Sequence, residues 1–178
     1  MNLNNHVVLY IAMSLDGFIA DKNGEIDFLH KVEVENEDYG YSRFLQSVGS
    51  VIMGRKTYDK VMSFGIEFPH KDKDCFIVTR QRIEGKKHLT FYNGNLKSLI
   101  ENIKSEILGN IFIDGGAEIV NILLQGKLID EMIISVIPIL LGGGVRLFGD
   151  DFPLQQLQLV DSYKFDSGLV QMHYTFVD

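Results

Sequence analysis

The sequence is poor in several features that would each point to a class of protein. It has one cysteine, three prolines and no tryptophan. Because Cys75 has no second thiol in this chain, an intrachain disulfide and a cysteine-based metal cluster are excluded. Its 17 lysines and arginines against 24 acidic residues give a net charge of −7, which argues against nucleic-acid binding.

Membrane-spanning and metal-binding patterns are missing as well. The apolar stretch of residues 7–13 is too short to cross a bilayer, and no basic leader precedes it. We therefore expect no membrane association and a cytoplasmic location. The acidic run of residues 33–38 has no metal-ligand spacing and indicates a solvated surface, so we expect no metal site.

What is present is the composition of an ordinary globular protein. The 178 residues are 46% hydrophobic and 23% charged, which predicts one domain over residues 1–178. Apolar runs alternate with segments of helical spacing, which favours an α/β fold with a mostly parallel sheet and an antiparallel edge. The predicted strands are 6–13, 18–20, 50–53, 75–79, 89–92, 111–113, 132–139, 157–163 and 170–177, and the predicted helices are 38–48, one opening at 54–57, one capped by Asn95, and 117–125.

Residues 111–125 join a buried strand, a glycine turn and a helix. Residues 111–113 are large and apolar, Asp114-Gly115-Gly116 interrupts them, and a helix begins at Ala117. Two residues without side chains let the backbone approach a ligand, and the start of a helix attracts an anion such as phosphate. The alternative is a strand–helix turn without a ligand, in which the glycines serve only the bend.

Three such junctions follow predicted strands: Gly54-Arg55-Lys56-Thr57, Thr79-Arg80-Gln81-Arg82 and Asp114-Gly115-Gly116. If the strands are parallel, their carboxyl ends share one rim of the sheet, where ligands bind. The amides of the last junction suit a pyrophosphate, and the guanidinium groups of the first two suit a 2′-phosphate, which favours NADP over NAD. The alternative is that these cations are ordinary solvated side chains.

The segments IAMSLDGFIADKNGEIDFL, VIMGRKTYD, FIVTR, IFIDGGAEIV and SVIPILLGGGVRLFG follow one another along nearly the whole chain. In this order they resemble the dihydrofolate reductase superfamily, and more closely the reductase domain of the bifunctional riboflavin-biosynthesis deaminase/reductase. The resemblance implies a dihydrofolate-reductase-like three-layer α/β fold with a mostly parallel central sheet and an antiparallel C-terminal hairpin. The zinc signature of the deaminase is absent from this sequence, so we expect the reductase module alone.

The resemblance also implies NADPH as the cofactor and assigns its contacts. A basic residue often stands at the position of Glu118 in these reductases, and an acid there cannot neutralise a phosphate. The implied cofactor-binding residues are Ala12, which is assigned to no particular part of the cofactor, Gly54, Arg55, Lys56 and Thr57 at the phosphates, Thr79 and Arg80 at the 2′-phosphate, and Gly115, Gly116, Ala117 and Glu118 at the pyrophosphate helix.

Reduction of a C=N or C=O bond also consumes a proton, so an acid is expected near the substrate. Asp27 lies between Ile26 and Phe28, and burial there would favour its protonated form. The alternative for Asp27 is a helix N-cap. Asp16 is the second candidate, with a turn-forming role in Asp-Gly as its alternative.

Three further residues are predicted to contact the substrate. The Ser-Leu-Asp-Gly turn places Ser14 near the nicotinamide in the riboflavin branch. The glycine loop of residues 142–144 is similar to the turn at the substrate entrance, where Gly143 and the neighbouring Arg146 would meet a substrate phosphate. A plain glycine bend is the alternative.

These features predict an NADPH-dependent oxidoreductase acting on a small molecule. The activity that the resemblance implies is reduction of 5-amino-6-(5-phosphoribosylamino)uracil. Two alternatives stay open: a dihydrofolate reductase, disfavoured because the pterin-pocket carboxylate of the first helix is not clearly present, and a nucleotide-binding module without catalysis. Strand 132–139 is apolar enough to support a homodimer, although its periodicity suits a core strand equally well.

Overall fold

The structure, a computed structural model, describes residues 5–177. A 3₁₀ helix spans Asp27–Val32, and a cis peptide bond joins Gly115 to Gly116. The strands are β1 Val7–Ser14, β2 Phe18–Ala20, β3 Val48–Gly54, β4 Asp74–Val78, β5 Leu89–Tyr92, β6 Asn110–Gly115, β7 Glu131–Ile137, β8 Val145–Arg146, β9 Gln156–Lys164 and β10 Val170–Val177. The α-helices are α1 Tyr41–Ser47, α2 Arg55–Ser63, α3 Leu96–Glu106 and α4 Ala117–Gln125.

Eight strands form one sheet in the order β5-β4-β3-β6-β1-β7-β10-β9, and β2 pairs with β8 in a separate two-stranded sheet. The first six strands of that order are parallel to one another, whereas β10 runs antiparallel to both β7 and β9. The predicted parallel sheet with an antiparallel C-terminal hairpin is therefore confirmed.

Helices cover both faces of this sheet, because its strand residues alternate between two apolar layers. Helices α3 and α4 pack on one face, where Leu9, Ile52 and Ile113 are fully buried. On the other face, α1 and the side chain of Tyr58 from α2 pack over Phe112. The result is the three-layer arrangement expected from the sequence.

The start of α1 differs from the prediction. The apolar spacing predicted a helix over residues 38–48, but α1 begins at Tyr41. The Asp38 carboxylate accepts hydrogen bonds from the backbone N–H groups of Gly40 and Ser42, and Gly40 has a left-handed φ of 82°. At the other end α1 stops at Ser47, because Val48, the last residue of the predicted helix, is the first residue of β3.

The parallel sheet brings the three junctions together. Gly54 stands in register with Val78 at the end of β4, and Met53 stands in register with Gly115 at the end of β6. The carboxyl ends of β3, β4 and β6 therefore lie at one rim, as the sequence predicted. Within residues 5–177, no helix has the length and apolarity needed to cross a membrane.

Candidate cofactor and substrate site

Two helix N-termini lie side by side at this rim. A Cβ added to Gly54 would lie 3.2 Å from Cγ1 of Ile119 and 3.8 Å from the backbone nitrogen of Gly116. A Cβ on Gly116 would lie 3.0 Å from Oγ1 of Thr57. Both glycines are therefore needed for the close approach of α2 to α4, and Gly115, with φ of 108°, occupies a conformation that glycine favours.

Both helix starts leave their backbone donors open. Gly54 and Gly116 are the N-cap residues of α2 and α4, and neither has a side chain that could cap the helix. The first N–H groups of an α-helix have no partner within the helix, and its N-terminus carries a partial positive charge. The rim therefore presents two adjacent sets of donors suited to a phosphate or pyrophosphate.

Arg55 adds a guanidinium group with an unused donor. Its Nε donates to both oxygens of Asp59, at 2.7 and 2.8 Å, and its Cζ lies 5.8 Å from the centre of the Phe91 ring. Its Nη1 is buried and has no hydrogen-bond partner among the described residues. A buried donor without an acceptor is unfavourable, so this atom indicates a place where a ligand acceptor fits.

Lys56, Glu118 and Arg80 form a charged cluster in front of the helix starts. Nζ of Lys56 lies 2.7 Å from Oε1 of Glu118, and both side chains are largely exposed. The hydrogen bond and charge of Lys56 lower the pKa of Glu118, and the charge of Arg80 lowers it further. The predicted cations thus meet at the rim, but Glu118 already neutralises one of them.

Thr79 and Arg80 continue from β4 into a turn that is tied to β5. The backbone N–H of Thr79 donates to the carbonyl of Tyr92 at 2.9 Å, and the side chain of Asn93 donates to the carbonyl of Arg80. The Arg80 side chain remains exposed. The turn therefore holds the Arg80 backbone in place and leaves its guanidinium group at the surface.

A cleft of about 310 Å³ opens beside this rim, on the face of the sheet that carries α1 and the 3₁₀ helix. Ala12 and Ile137 both line the cleft. Ala12 lies two residues before the end of β1 at Ser14, and Ile137, in register with Ser14, is the last residue of β7. Ala12, predicted to bind the cofactor, therefore lies where the rim and the cleft meet. A small molecule bound in the cleft would be next to a cofactor bound along the rim.

The contacts of Asp16 suit a structural role and not the role of a proton donor. The Ser14 hydroxyl donates to Asp16 Oδ1 at 2.6 Å, and the backbone N–H groups of Leu141 and Gly142 donate to its two oxygens at 3.1 and 2.7 Å. These bonds, with that of Ser14 first, hold the pKa of Asp16 at about 2. The carboxyl group is therefore ionised near neutral pH, which argues against the predicted proton donor and favours the alternative of a turn residue.

Ser14 is engaged in the same turn. Its Oγ, fully buried, donates to Asp16 and accepts the backbone N–H of Phe18 at 3.0 Å. The hydroxyl hydrogen is thus already used within the chain. The predicted substrate contact would require it to leave Asp16.

Asp27 does not have the surroundings that the sequence suggested. It is the first residue of the 3₁₀ helix, its side chain is exposed, and it is absent from the lining of the cleft. Phe28 turns into the core, but burial of the neighbouring acid does not follow. The N-cap alternative is not observed either, because Ile26 holds that position without a side-chain cap.

Gly143 and Arg146 lie outside the cleft lining. Gly143 sits against the side chain of Lys22, which a Cβ at that position would strike. The guanidinium group of Arg146 stacks 4.8 Å from the centre of the Phe18 ring, within the small β2–β8 sheet. Lys22 was not among the cations that the sequence placed beside this loop.

A buried polar network at the floor of the cleft was not predicted. Nε2 of Gln171 lies 3.0 Å from the Tyr10 hydroxyl, 3.1 Å from the carbonyl of Tyr39 and 3.1 Å from Oγ of Ser135. The sequence signal was the pair of polar residues inside the apolar runs of β1 and β7. Pairing them required knowing that β10 crosses beside β7, which no local pattern shows.

Comparison with known proteins agrees with this architecture. Residues 48–171 match the family described as the RibD C-terminal domain. The chain is 42% identical over 173 residues to the uncharacterized protein YwjB of Bacillus subtilis (strain 168), covering 97% of this chain and 98% of that protein. It is 34% identical to a putative riboflavin biosynthesis protein from Shewanella sp. PV-4, whose crystal structure superposes with a TM-score of 0.90 over 97% of this chain and 99% of that one.

A more distant neighbour shares the fold. The dihydrofolate reductase of Enterococcus faecalis, solved as a complex with NADP(H), has a TM-score of 0.71 at 14% identity and covers 99% of each chain. At that identity the similarity concerns the fold alone. Taken with the match over residues 48–171 and the relatives at 42% and 34% identity, it establishes that the chain belongs to the RibD C-terminal domain family and has a dihydrofolate-reductase-like fold.

Proposed function

We propose that residues 1–178 form a single NADPH-dependent reductase domain that transfers a hydride to a C=O or C=N bond of a small heterocyclic substrate. The observation that carries the proposal is the buried Nη1 of Arg55, which lacks an acceptor beside two uncapped helix N-termini at one rim. A phosphorylated dinucleotide supplies acceptors for all three. The reductase fold of the family supports the same assignment.

The residues at the rim fit NADPH in their donor chemistry. We propose that the amides behind Gly54 and Gly116 bind the phosphates, that Arg55 and Arg80 bind the 2′-phosphate, and that Ala12 leaves space for the nicotinamide. When bound, NADPH supplies the hydride. The chain binds and orients it, and the cleft holds the substrate next to it.

Neither of the two acids predicted from the sequence is in a position to donate the proton. Asp16 is held ionised by its hydrogen bonds from Ser14, Gly142 and Leu141, and Asp27 is exposed outside the cleft. We propose that water at the open mouth of the cleft delivers the proton. A nucleotide-binding module without catalysis is the second candidate function, because it needs no donor at all.

The proposal predicts a strong preference for the phosphorylated cofactor. NADPH at 100 times its Kd raises the free energy of unfolding by about 2.7 kcal/mol, and we expect NADH to bind at least about tenfold more weakly, which is about 1.4 kcal/mol. The measurement is the thermal unfolding midpoint with each nucleotide. The double variant Arg55→Ala/Arg80→Ala should bring the two shifts close together, because it removes both guanidinium groups.

The matched control is Arg43→Ala/Lys164→Ala, which removes two exposed cations that belong to none of the three junctions, on α1 and β9. It should keep the wild-type preference. Equal shifts from NADPH and NADH in the wild-type protein would refute the proposed cofactor. NADPH binding without oxidation of NADPH by any heterocyclic carbonyl or imine would favour the module without catalysis.

A further inference from the structure

The cleft beside the rim also restricts the substrate. On the basis of the proposed reductase function, we propose that the substrate is an uncharged or cationic nitrogen heterocycle that carries no phosphate group. This differs from the phosphoribosyl substrate that the sequence resemblance implied. Three observations support it: the lining of the cleft contains carboxylates and neutral hydroxyl groups, it contains no basic side chain among the described residues, and amides of the adjoining glycine loop are already bound to Asp16.

The mouth of the cleft is acidic. Glu33, Glu37 and Asp38 line it. The Ser42 side chain lowers the pKa of Asp38 most, and the backbone N–H groups of Ser42 and Gly40, each 2.9 Å from the carboxylate, lower it further. Asp38 therefore stays charged across the neutral range, and an anion entering the cleft approaches like charges.

The floor of the cleft offers neutral hydroxyl groups. Burial raises the pKa of Tyr10, and the charge of Asp38 raises it further. Burial likewise raises the pKa of Tyr41, with a contribution from Asp114. Both phenols stay protonated at neutral pH. Ser135, 4% exposed, accepts from Gln171 and donates to no described residue, so its hydroxyl hydrogen is free for a ligand.

Positive charge is missing from the cleft. Among residues 5–177, no lysine, arginine or histidine lines it. His30, on the neighbouring 3₁₀ helix, pairs with Glu33 at 2.6 Å and points its charge, when protonated, at that carboxylate. A phosphate group in this cleft would therefore lie beside carboxylates without a compensating cation, whereas proteins bind phosphate with basic side chains or free amides.

The amides at the start of the glycine loop are not available for a phosphate either, because they already bind a carboxylate of this chain. The N–H groups of Leu141 and Gly142 donate to the carboxylate of Asp16. The Asp16 carboxylate thus takes the place of an external anion at these two amides. Arg146 is stacked on Phe18, outside the cleft. Lys22 lies over Gly143 and is also outside the lining. The experiment below therefore includes the variant Lys22→Met.

A ring with N–H and C=O groups suits the remaining chemistry. Ala12, Ile137 and Leu169 provide apolar walls, the tyrosine and serine hydroxyls accept or donate neutral hydrogen bonds, and the carboxylates at the mouth accept N–H groups. A volume of about 310 Å³ is at the small end of the range for ligand pockets. Aminopyrimidines and pterins without phosphate belong to this class.

The experiment compares 5-amino-6-(5-phosphoribosylamino)uracil with its dephosphorylated nucleoside, which differ only in the phosphate. Binding of each to the NADP⁺-loaded protein is measured by calorimetry at 0.15 M and 0.5 M salt. At the lower salt we expect the nucleoside to bind at least about tenfold more tightly than the phosphate ester. This gap, the ratio of the two affinities, should narrow at the higher salt, because salt screens charge repulsion. The double variant Glu33→Gln/Glu37→Gln should narrow the gap by about threefold or more.

The matched control is Glu35→Gln, an exposed acid of the same segment that does not line the cleft, and it should leave the gap unchanged. Equal or tighter binding of the phosphate ester overturns the inference, whether or not Lys22→Met abolishes it. Binding of neither compound also overturns it. A protein that does not prefer NADPH over NADH, but still binds the nucleoside more tightly than its phosphate ester, would instead refute the proposed reductase. The proposed ligand class of the cleft would then still hold.

Discussion

At the scale of single residues, Glu118 is the side chain that works against the proposed cofactor. It stands in the first turn of α4, where a phosphate would lie, and it holds Lys56 at 2.7 Å. We predict that Glu118→Gln lowers the Kd for NADPH by about two- to fivefold, because the change frees Lys56 and removes a nearby negative charge. The measurement is a fluorescence titration with NADPH at low salt.

The gain should shrink at 0.5 M salt, because both side chains are exposed and salt screens their charges. Glu101→Gln, on the exposed side of α3, removes the same charge elsewhere and should not change the affinity. An affinity that is unaltered by Glu118→Gln at low salt would show that the phosphates do not pass this residue.

At the scale of elements, Asp16 ties the turn after β1 to the loop after β7. Its pKa of about 2, below the usual 3.8, means that the folded state favours the carboxylate. This stabilisation is fully present above the ordinary pKa and is lost as pH falls through about 2. We predict that Asp16→Asn lowers the thermal midpoint at pH 7 and that the difference from wild type shrinks between about pH 4 and pH 2.

Asp27→Asn is the matched control, because Asp27 is exposed and forms no hydrogen bond through its side chain among the described residues. Its midpoint should follow the wild type at both pH values. A difference for Asp16→Asn that stays constant down to pH 2 would mean that the charge of the carboxylate does not hold the two segments together.

The same elements show what the sequence could predict. Asn95 was expected to cap α3, and its side chain does accept the N–H of Ser98 at 3.1 Å, because capping depends on residues three apart. The glycine junctions were placed at one rim, because parallel strands impose it. Asp16 was predicted as a candidate proton donor, with an Asp-Gly turn role as the alternative, but its two amide partners lie 125 and 126 residues away, beyond any local pattern.

At the scale of the whole molecule, the position of each strand in the sheet decides where a second copy could pair. From the sequence, strand 132–139 suited a dimer interface and a core strand equally well, but β7 lies between β1 and β10 and both of its edges are paired. The outer strand at that end of the sheet is β9, which is exposed along its whole length. Three of its apolar side chains, Leu159, Val160 and Tyr163, are each more than half exposed.

An exposed apolar edge strand is a template for pairing with another chain. We therefore predict a two-fold homodimer in which β9 pairs with its copy, so that light scattering after gel filtration gives twice the chain mass of 20.2 kDa. Leu159→Lys should shift the protein to the monomer, because it places a charge in the paired strands. Leu154→Lys, which adds the same charge at an exposed position just before β9, should leave the dimer intact. A monomeric wild-type protein at micromolar concentration would contradict the pairing of β9 with a second copy of the chain.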